Sequence, residues 1–168
     1  MGIPDFIRRI RASAGTQLLF LPGVSAVVFN ADGRVLLARR ADTGGWSIIG
    51  GISEPGEQPA ATAIREVYEE TAVSCVAERV VLVHATSRPF VYPNGDECQF
   101  MDICLRCRAV GGDARVNDEE SLDVGWFPVD ALPKLEGFAD FRIKQALTDG
   151  PTWFDPSVPR AGDRAGGA

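Results

Sequence analysis

The chain has a single histidine, no excess of basic charge and no apolar run near the length of a membrane span. Each absence excludes something. Its 17 Lys and Arg stand against 23 Asp and Glu, a net charge of −6, so it lacks the basic face that a general nucleic-acid binder needs. Without some 20 consecutive apolar residues, no transmembrane helix is expected. The lone His84 has no partner visible in sequence and is read as non-catalytic. The four cysteines, Cys75, Cys98, Cys104 and Cys107, lack the spacing of a disulfide or zinc framework. Only Cys104-x-x-Cys107 is close to one, and it lies in the alternating run Phe100 to Val110. Strand residues three apart point to opposite faces and cannot share a metal. The thiols are read as packed groups in a reducing cytoplasm. Arg8-Arg9-Ile10-Arg11 followed by Leu18 to Leu21 has the outline of a secretory signal, but Pro22-Gly23 interrupts the apolar run. The expected setting is therefore cytoplasmic.

What is present is one domain's worth of chain: 168 residues, 45% hydrophobic, enough for a proper core. Pro4 to Ala14 reads as an amphipathic helix with Phe6, Ile7, Ile10 and Ala14 on one side. Val24 to Phe29 and Arg34 to Arg39 read as strands joined through Asn30-Ala31-Asp32-Gly33, a hairpin signal. Trp46 to Ile49 is a third short strand, and Val76 to Thr86 a further extended stretch. Phe90 to Tyr92 and Glu97 to Val110 flank Pro93-Asn94-Gly95-Asp96, a second hairpin. Leu122 to Phe127 reads as a strand and Phe138 to Leu147 as a closing helix. From Asp155 the tail, rich in Pro, Gly, Ala and Arg, reads as unstructured. Residues 1–22 are thus a helix and linker, 23–154 the domain and 155–168 a tail. Strands interleaved with helices make this an α/β fold.

The chemistry concentrates between Gly51 and Val73. Pro59 suits the first position of a helix, where its missing N–H is not needed. Ala60, Ala63, Ile64 and Val67 would form the buried stripe, with the carboxylates facing outward into a cleft. Glu66, Glu69 and Glu70 fall at i, i+3 and i+4, so a helix stacks them on adjacent turns, where like charges repel. Something must neutralise them. A hard divalent cation with oxygen ligands fits, and Mg²⁺ suits a site shared with a phosphate substrate.

This segment resembles the Nudix box, G-x5-E-x7-R-E-U-x-E-E-x-G-U with U an apolar aliphatic residue. Gly51, Glu57, Arg65, Glu66, Val67, Glu69, Glu70 and Val73 all fall on the pattern, and Ala72 stands where the family has Gly. Ala72 follows the last helical carboxylates, where a left-handed residue commonly ends a helix. Its mismatch is a stability cost of about 1 kcal/mol and no loss of chemistry.

The resemblance implies a Nudix-type α/β/α sandwich with a mixed β-sheet, and hydrolysis of a nucleoside diphosphate linked to another moiety. It makes Glu66 and Glu70 the principal ligands of Mg²⁺ (or Mn²⁺), with Glu69 and the Gly50 carbonyl completing the shell. Glu57 would assist through water or a salt bridge, and Arg65 would orient the carboxylates. The general base is either Glu66 or a later-loop glutamate, Glu119 or Glu120, with Glu120 preferred. Pro89, sixteen residues beyond Val73, resembles a mark of the ADP-ribose pyrophosphatase branch. Arg88, Phe90, Tyr92 and Phe100 are the substrate-binding candidates.

The leading substrate is therefore ADP-ribose or a related nucleotide sugar. The alternatives are a house-cleaning nucleoside triphosphate pyrophosphatase and a non-catalytic nucleotide sensor. The expected partner is a small nucleotide, with no nucleic acid and no membrane. The resemblance also implies a homodimer, for which the N-terminal helix offers a contact surface.

Overall fold

The computed structural model describes residues 4–92 and 94–156. In chain order they form α1 (Asp5–Ala14), β1 (Leu19–Phe29), β2 (Val35–Arg40), β3 (Trp46–Ser47), β4 (Ile49–Ile52), α2 (Pro59–Thr71), β5 (Ser74–Ala85), β6 (Phe90–Val91), β7 (Glu97–Gly111), β8 (Ser121–Phe127), α3 (Ala139–Leu147) and β9 (Trp153–Phe154). The strands join one mixed sheet, ordered β3-β2-β1-β7-β5-β9, with β4 on β1, β6 on β7 and β8 on β2. The long central pair, β1 with β7, is parallel, while β5 runs antiparallel to β7.

Alternation along β1 divides the core into two layers. Val24, Ala26 and Val28 pack with Ala63 and Val67 of α2 on one face. Val27 and Phe29 pack with Ala139, Ile143 and Ala146 of α3 on the other. The sheet thus lies between helices, as the α/β/α expectation required. Cys104 belongs to the α3 layer and Cys107 to the α2 layer, so the two thiols do lie on opposite faces. All four cysteines are free and buried.

Four details depart from the sequence reading. Strand β1 runs from Leu19 straight through Pro22 and Gly23. Pro22 fits there because its missing N–H faces the flank where the β4 ladder ends at Gly23, and its carbonyl on that flank still accepts from the Ser53 amide at 3.1 Å. Trp46 to Ile49 is not one strand: Trp46 and Ser47 pair with β2, and Ile49 onward with β1. The apolar period expected along the closing helix, Phe138, Phe141, Ala146 and Leu147, gives way to a buried stripe of Ala139, Ile143 and Ala146, with Phe138 and Leu147 exposed. β9, pairing beside Leu82 and Val83, escaped notice because two residues carry no periodicity. Of the tail that begins at Asp155, residues 157–168 lie outside those described, as do residues 1–3 and Pro93.

α1 docks on its own domain. Ile7, 4% exposed, packs with Leu21 and Cys98, flanked by Phe6 and Phe100. Arg11 pins the helix to the β6–β7 hairpin: its guanidinium donates to the Glu97 carbonyl at 2.7 Å and to the Gly15 carbonyl at 3.0 Å, and lies 3.5 Å from the Asp96 carboxylate. Ile10 remains exposed. Among the described residues, no helix is long and apolar enough to cross a membrane.

Ala72 ends α2 in the left-handed region at φ 57°, ψ 15°, its N–H donating to the Tyr68 carbonyl at 2.8 Å. Left-handed strain on Ala amounts to ~1–2 kcal/mol. Against that, its buried methyl is worth about 0.8 kcal/mol, and Gly would free the unfolded chain by about 0.5–1 kcal/mol. These effects nearly cancel. Ala72→Gly is expected to change stability by less than about 1 kcal/mol in denaturant unfolding and to leave turnover unchanged. A large loss of activity would give the position a chemical role.

Candidate active site

β4 sets Gly51 against α2 and Gly50 against β1. A Cβ on Gly51 would sit 2.1 Å from Glu66 Oε1, and one on Gly50 only 2.7 Å from the Val24 carbonyl oxygen. Glycine at 51 therefore makes room for a carboxylate, and glycine at 50 lets β4 close onto β1. The loop after Ile52 then turns into α2, which starts at Pro59 without a side-chain cap.

The glutamates of α2 do not all face outward. Glu66 is 4% exposed and Glu70 9%, both on the inner side with Ala63 and Val67, whereas Ile64 is on the surface. The expected stripe is corrected accordingly: two carboxylates, spaced one turn apart, take the place of an apolar residue beneath the glycine pair. Burial and repulsion have the expected electrostatic result. Glu70 is pushed up to about 8, first by burial, then by the charges of Glu66, Asp118 and Glu120, partly offset by the Gly50 amide donating to it. Glu66 is also raised by burial, against the pull of Arg65.

Arg65 gathers the rest. Its Nε and Nη2 meet the two Glu57 oxygens at 2.7 and 2.9 Å, and its Nη1 reaches Glu66 Oε1 at 2.8 Å and Glu69 Oε2 at 3.1 Å. The i,i+4 contact with Glu69 is thus one strand of a four-residue network. Glu57 additionally accepts from the Glu54 amide at 3.0 Å and lies 2.9 Å from the Thr62 hydroxyl. The Arg65 guanidinium holds the Glu57 carboxyl down at about 2, and the carboxylates raise Arg65 in turn.

The expected metal set, Glu66, Glu70, Glu69, Gly50 and Glu57, is brought into one neighbourhood but not drawn to one point. Among the described residues, no three Asp, Glu, His or Cys side chains are gathered as a metal requires. The reason is Arg65, whose planar fork collects Glu57, Glu66 and Glu69 while Glu70 turns to the Gly50 amide. The donors themselves are all oxygens, the chemistry a hard divalent cation takes.

The rim opposite Arg65 is the segment before β8. Asn117 anchors it to the end of α2, donating from its amide to the Glu70 carbonyl at 3.2 Å and from its side chain to the Tyr68 carbonyl at 3.1 Å. The Glu120 carbonyl accepts from the Ala41 amide at 2.8 Å. Glu120 acts on both Glu66 and Glu70, and Glu119, beside it in sequence, is exposed like Glu120 itself. Asp118 also acts on Glu70 and was missed. The signal was its alternation with Glu120 in the run Asp118-Glu119-Glu120. Arg40 was missed as well: it lies near Glu70 and is held at 2.6 and 2.8 Å by the Asp42 carboxylate.

The substrate candidates separate. Burial raises the Tyr92 hydroxyl, and the charges of Cys98, Arg40, Asp42 and Glu120 also reach it. Phe90 meets it edge-on at 4.7 Å. Arg88 is exposed in the turn before β6. Phe100 is packed beneath α1 and does not join them. His84 stacks on Phe138 at 5.0 Å, against α3.

A NUDIX domain family model matches residues 19–147. A MutT-like protein of Streptomyces ambofaciens is 35% identical over 126 residues, covering 74% of this chain and 75% of that protein. The NAD-capped RNA hydrolase NudC of Pseudomonas putida is 33% identical over 116 residues, 68% of this chain. The chain spans only 38% of that longer relative. In fold it is similar to an ADP-ribose pyrophosphatase from Streptococcus suis, with a TM-score of 0.58 at 24% identity, covering 78% of this chain and 89% of that one. The match runs from β1 to the end of α3 and takes in the whole carboxylate helix; the chain belongs to the Nudix hydrolases, which act on phosphorus-containing anhydrides.

Proposed function

We propose that the protein is a divalent-metal-dependent pyrophosphatase that splits a nucleoside diphosphate from a second group, with ADP-ribose or a related nucleotide sugar as its leading substrate. The buried Glu66–Glu70 pair beneath Gly50 and Gly51 carries this reading, because two desolvated carboxylates one turn apart call for a cation. Glu66 and Glu70 would hold Mg²⁺ or Mn²⁺, with Glu69 and the Gly50 carbonyl completing the oxygen set. When bound, the ion supplies charge neutralisation on the diphosphate and lowers the pKa of an attacking water. Arg65 holds Glu66 and Glu69 in orientation and keeps Glu57 ionised. Glu120, at the open rim, takes the proton of the attacking water, since Glu66 is already committed to Arg65. Pro89 and the likeness in fold to an ADP-ribose pyrophosphatase support the choice of substrate. The buried thiols fit a reducing cytoplasm.

The test is a panel of ADP-ribose, UDP-glucose, NAD and nucleoside triphosphates with Mg²⁺ or Mn²⁺, reading mononucleotide and phosphate release. NAD belongs there because the NudC relatives are named for a substrate with the same kind of linkage. ADP-ribose is expected to be cleaved best. Preference for a triphosphate would support the house-cleaning reading, and nucleotide binding without turnover on any diphosphate would sink the enzyme reading. Within the panel, Glu120→Gln is expected to lower kcat by roughly 10²- to 10⁴-fold with KM little changed. Near-normal turnover in that variant moves the general base to Glu66.

A further inference from the structure

Beside the box loop lies a cavity of about 270 Å³ that the carboxylate network touches through Glu57. Its walls are apolar: Phe6, Pro22, Val24 and Ile103, with Pro55 and Pro59 at either end of the loop. Its rim is acidic, made by Glu54 and Glu57, and no lysine or arginine lines it. Such a lining rejects phosphate. It takes a flat, uncharged group that stacks on an aromatic ring and donates hydrogen bonds outward. The volume falls just short of the ~300–1,000 Å³ of sites for whole drug-sized ligands, so it admits a fragment of a nucleotide sugar and not the entire molecule.

Two connections tie the cavity to the active site and to this chain in particular. Glu57 lines it and also binds Arg65 at 2.7 Å, and Arg65 binds Glu66 at 2.8 Å. A ligand seated there is thus one ion-pair relay from the buried carboxylates. Phe6 comes from α1, which precedes the family match beginning at residue 19. The Arg11 contacts with the β6–β7 hairpin fix that helix in place, so the aromatic wall is preformed.

We propose that this cavity receives the nucleobase of the substrate, one bearing an exocyclic amine such as adenine, with Phe6 as stacking wall and Glu54 as acceptor; the assignment of a nucleotide substrate rests on the function proposed above. α1 is then a specificity element added to the common fold.

Adenosine, which carries no phosphate and needs no metal, is the direct probe. Titrated into the chelator-treated full chain, it is expected to shift the methyl NMR signals of Ile103 and Val24, with inosine binding about tenfold more weakly for want of the amine. Phe6→Ala is expected to weaken adenosine about tenfold and to raise KM for ADP-ribose by a similar factor, with a smaller effect on kcat. Because Phe6→Ala also loosens α1, Ile103→Phe fills the cavity from the opposite wall and is expected to give the same loss. Adenosine shifts confined to other methyls, or equal binding of adenosine and inosine, would overturn the proposal. Diphosphate hydrolysis without adenosine binding here defeats this inference alone, whereas adenosine binding here without hydrolysis of any diphosphate defeats the enzyme reading and leaves the pocket standing.

Discussion

Glu66→Gln is expected to lower kcat/KM on the best diphosphate by roughly 10³-fold or more, as follows from removing several kcal/mol of charge stabilisation at the reacting phosphorus. The substitution isolates charge from shape. Gln has the same outline as Glu, so it still fits beneath Gly51, where a Cβ would lie 2.1 Å from the Glu66 oxygen. Its side-chain oxygen can still accept from Arg65, so the network around Glu57 and Glu69 survives. Only the negative charge is lost. Folding should not suffer, because an ionised group at 4% exposure is itself a burden on stability. The measurement is kcat/KM with saturating Mg²⁺, beside an Mn²⁺ binding titration and a thermal melt. Reduced turnover with weakened Mn²⁺ binding and an unchanged or raised Tm is the expected pattern. Full activity in the variant would remove Glu66 from the site, and a collapsed Tm would reassign it to structure.

The box was legible because its residues sit at fixed intervals, and the helix that those intervals require was readable from Pro59 and the apolar stripe. What the intervals could not convey was direction. Glu66 and Glu70 were expected to face out with Glu69, yet they turn inward, because the glycine pair on β4 leaves a space that only sequence-distant strands create. The same limit explains Asp118 and Arg40. Each becomes part of the rim through pairing of β8 with β2, a register with an irregularity between Arg39 and Arg40. Phe100 shows the converse: its place in an aromatic-rich hairpin suggested substrate contact, but α1 closes over it. That burial depends on a helix some ninety residues away in sequence, beyond the reach of any local pattern.

The second large effect concerns the pH dependence of stability with divalent ions chelated. Glu70 titrates near 8 in the folded protein against an ordinary value of 4.5, and Glu66 moves in the same direction. Between those limits the folded chain holds a proton that the unfolded chain has lost, so stability declines as pH rises. The contribution is complete below about 4.5 and gone above about 8. Glu57, held near 2 by Arg65, acts oppositely: its contribution is present above about 4.5 and disappears as pH falls through 2. The two together place the stability maximum of the chelated protein in the acidic range, near the point where both contributions are complete. A tenfold difference in proton affinity between folded and unfolded chain is worth at most about 1.4 kcal/mol, so the loss from pH 5 to pH 8 amounts to a few kcal/mol, or about 10 °C in Tm for a chain of this size. Glu70→Gln carries no titrating proton at that position and is expected to flatten most of the slope and to melt above wild type at pH 8 in chelator. Mg²⁺ should reverse the wild-type trend, since it binds the ionised carboxylates and stabilises the folded state as its concentration exceeds Kd. That rescue should be absent in Glu70→Gln. A wild-type Tm that stays level from pH 5 to pH 8 in chelator would mean that Glu70 is ionised throughout, and that the carboxylate pair is already neutralised by the protein's own cations.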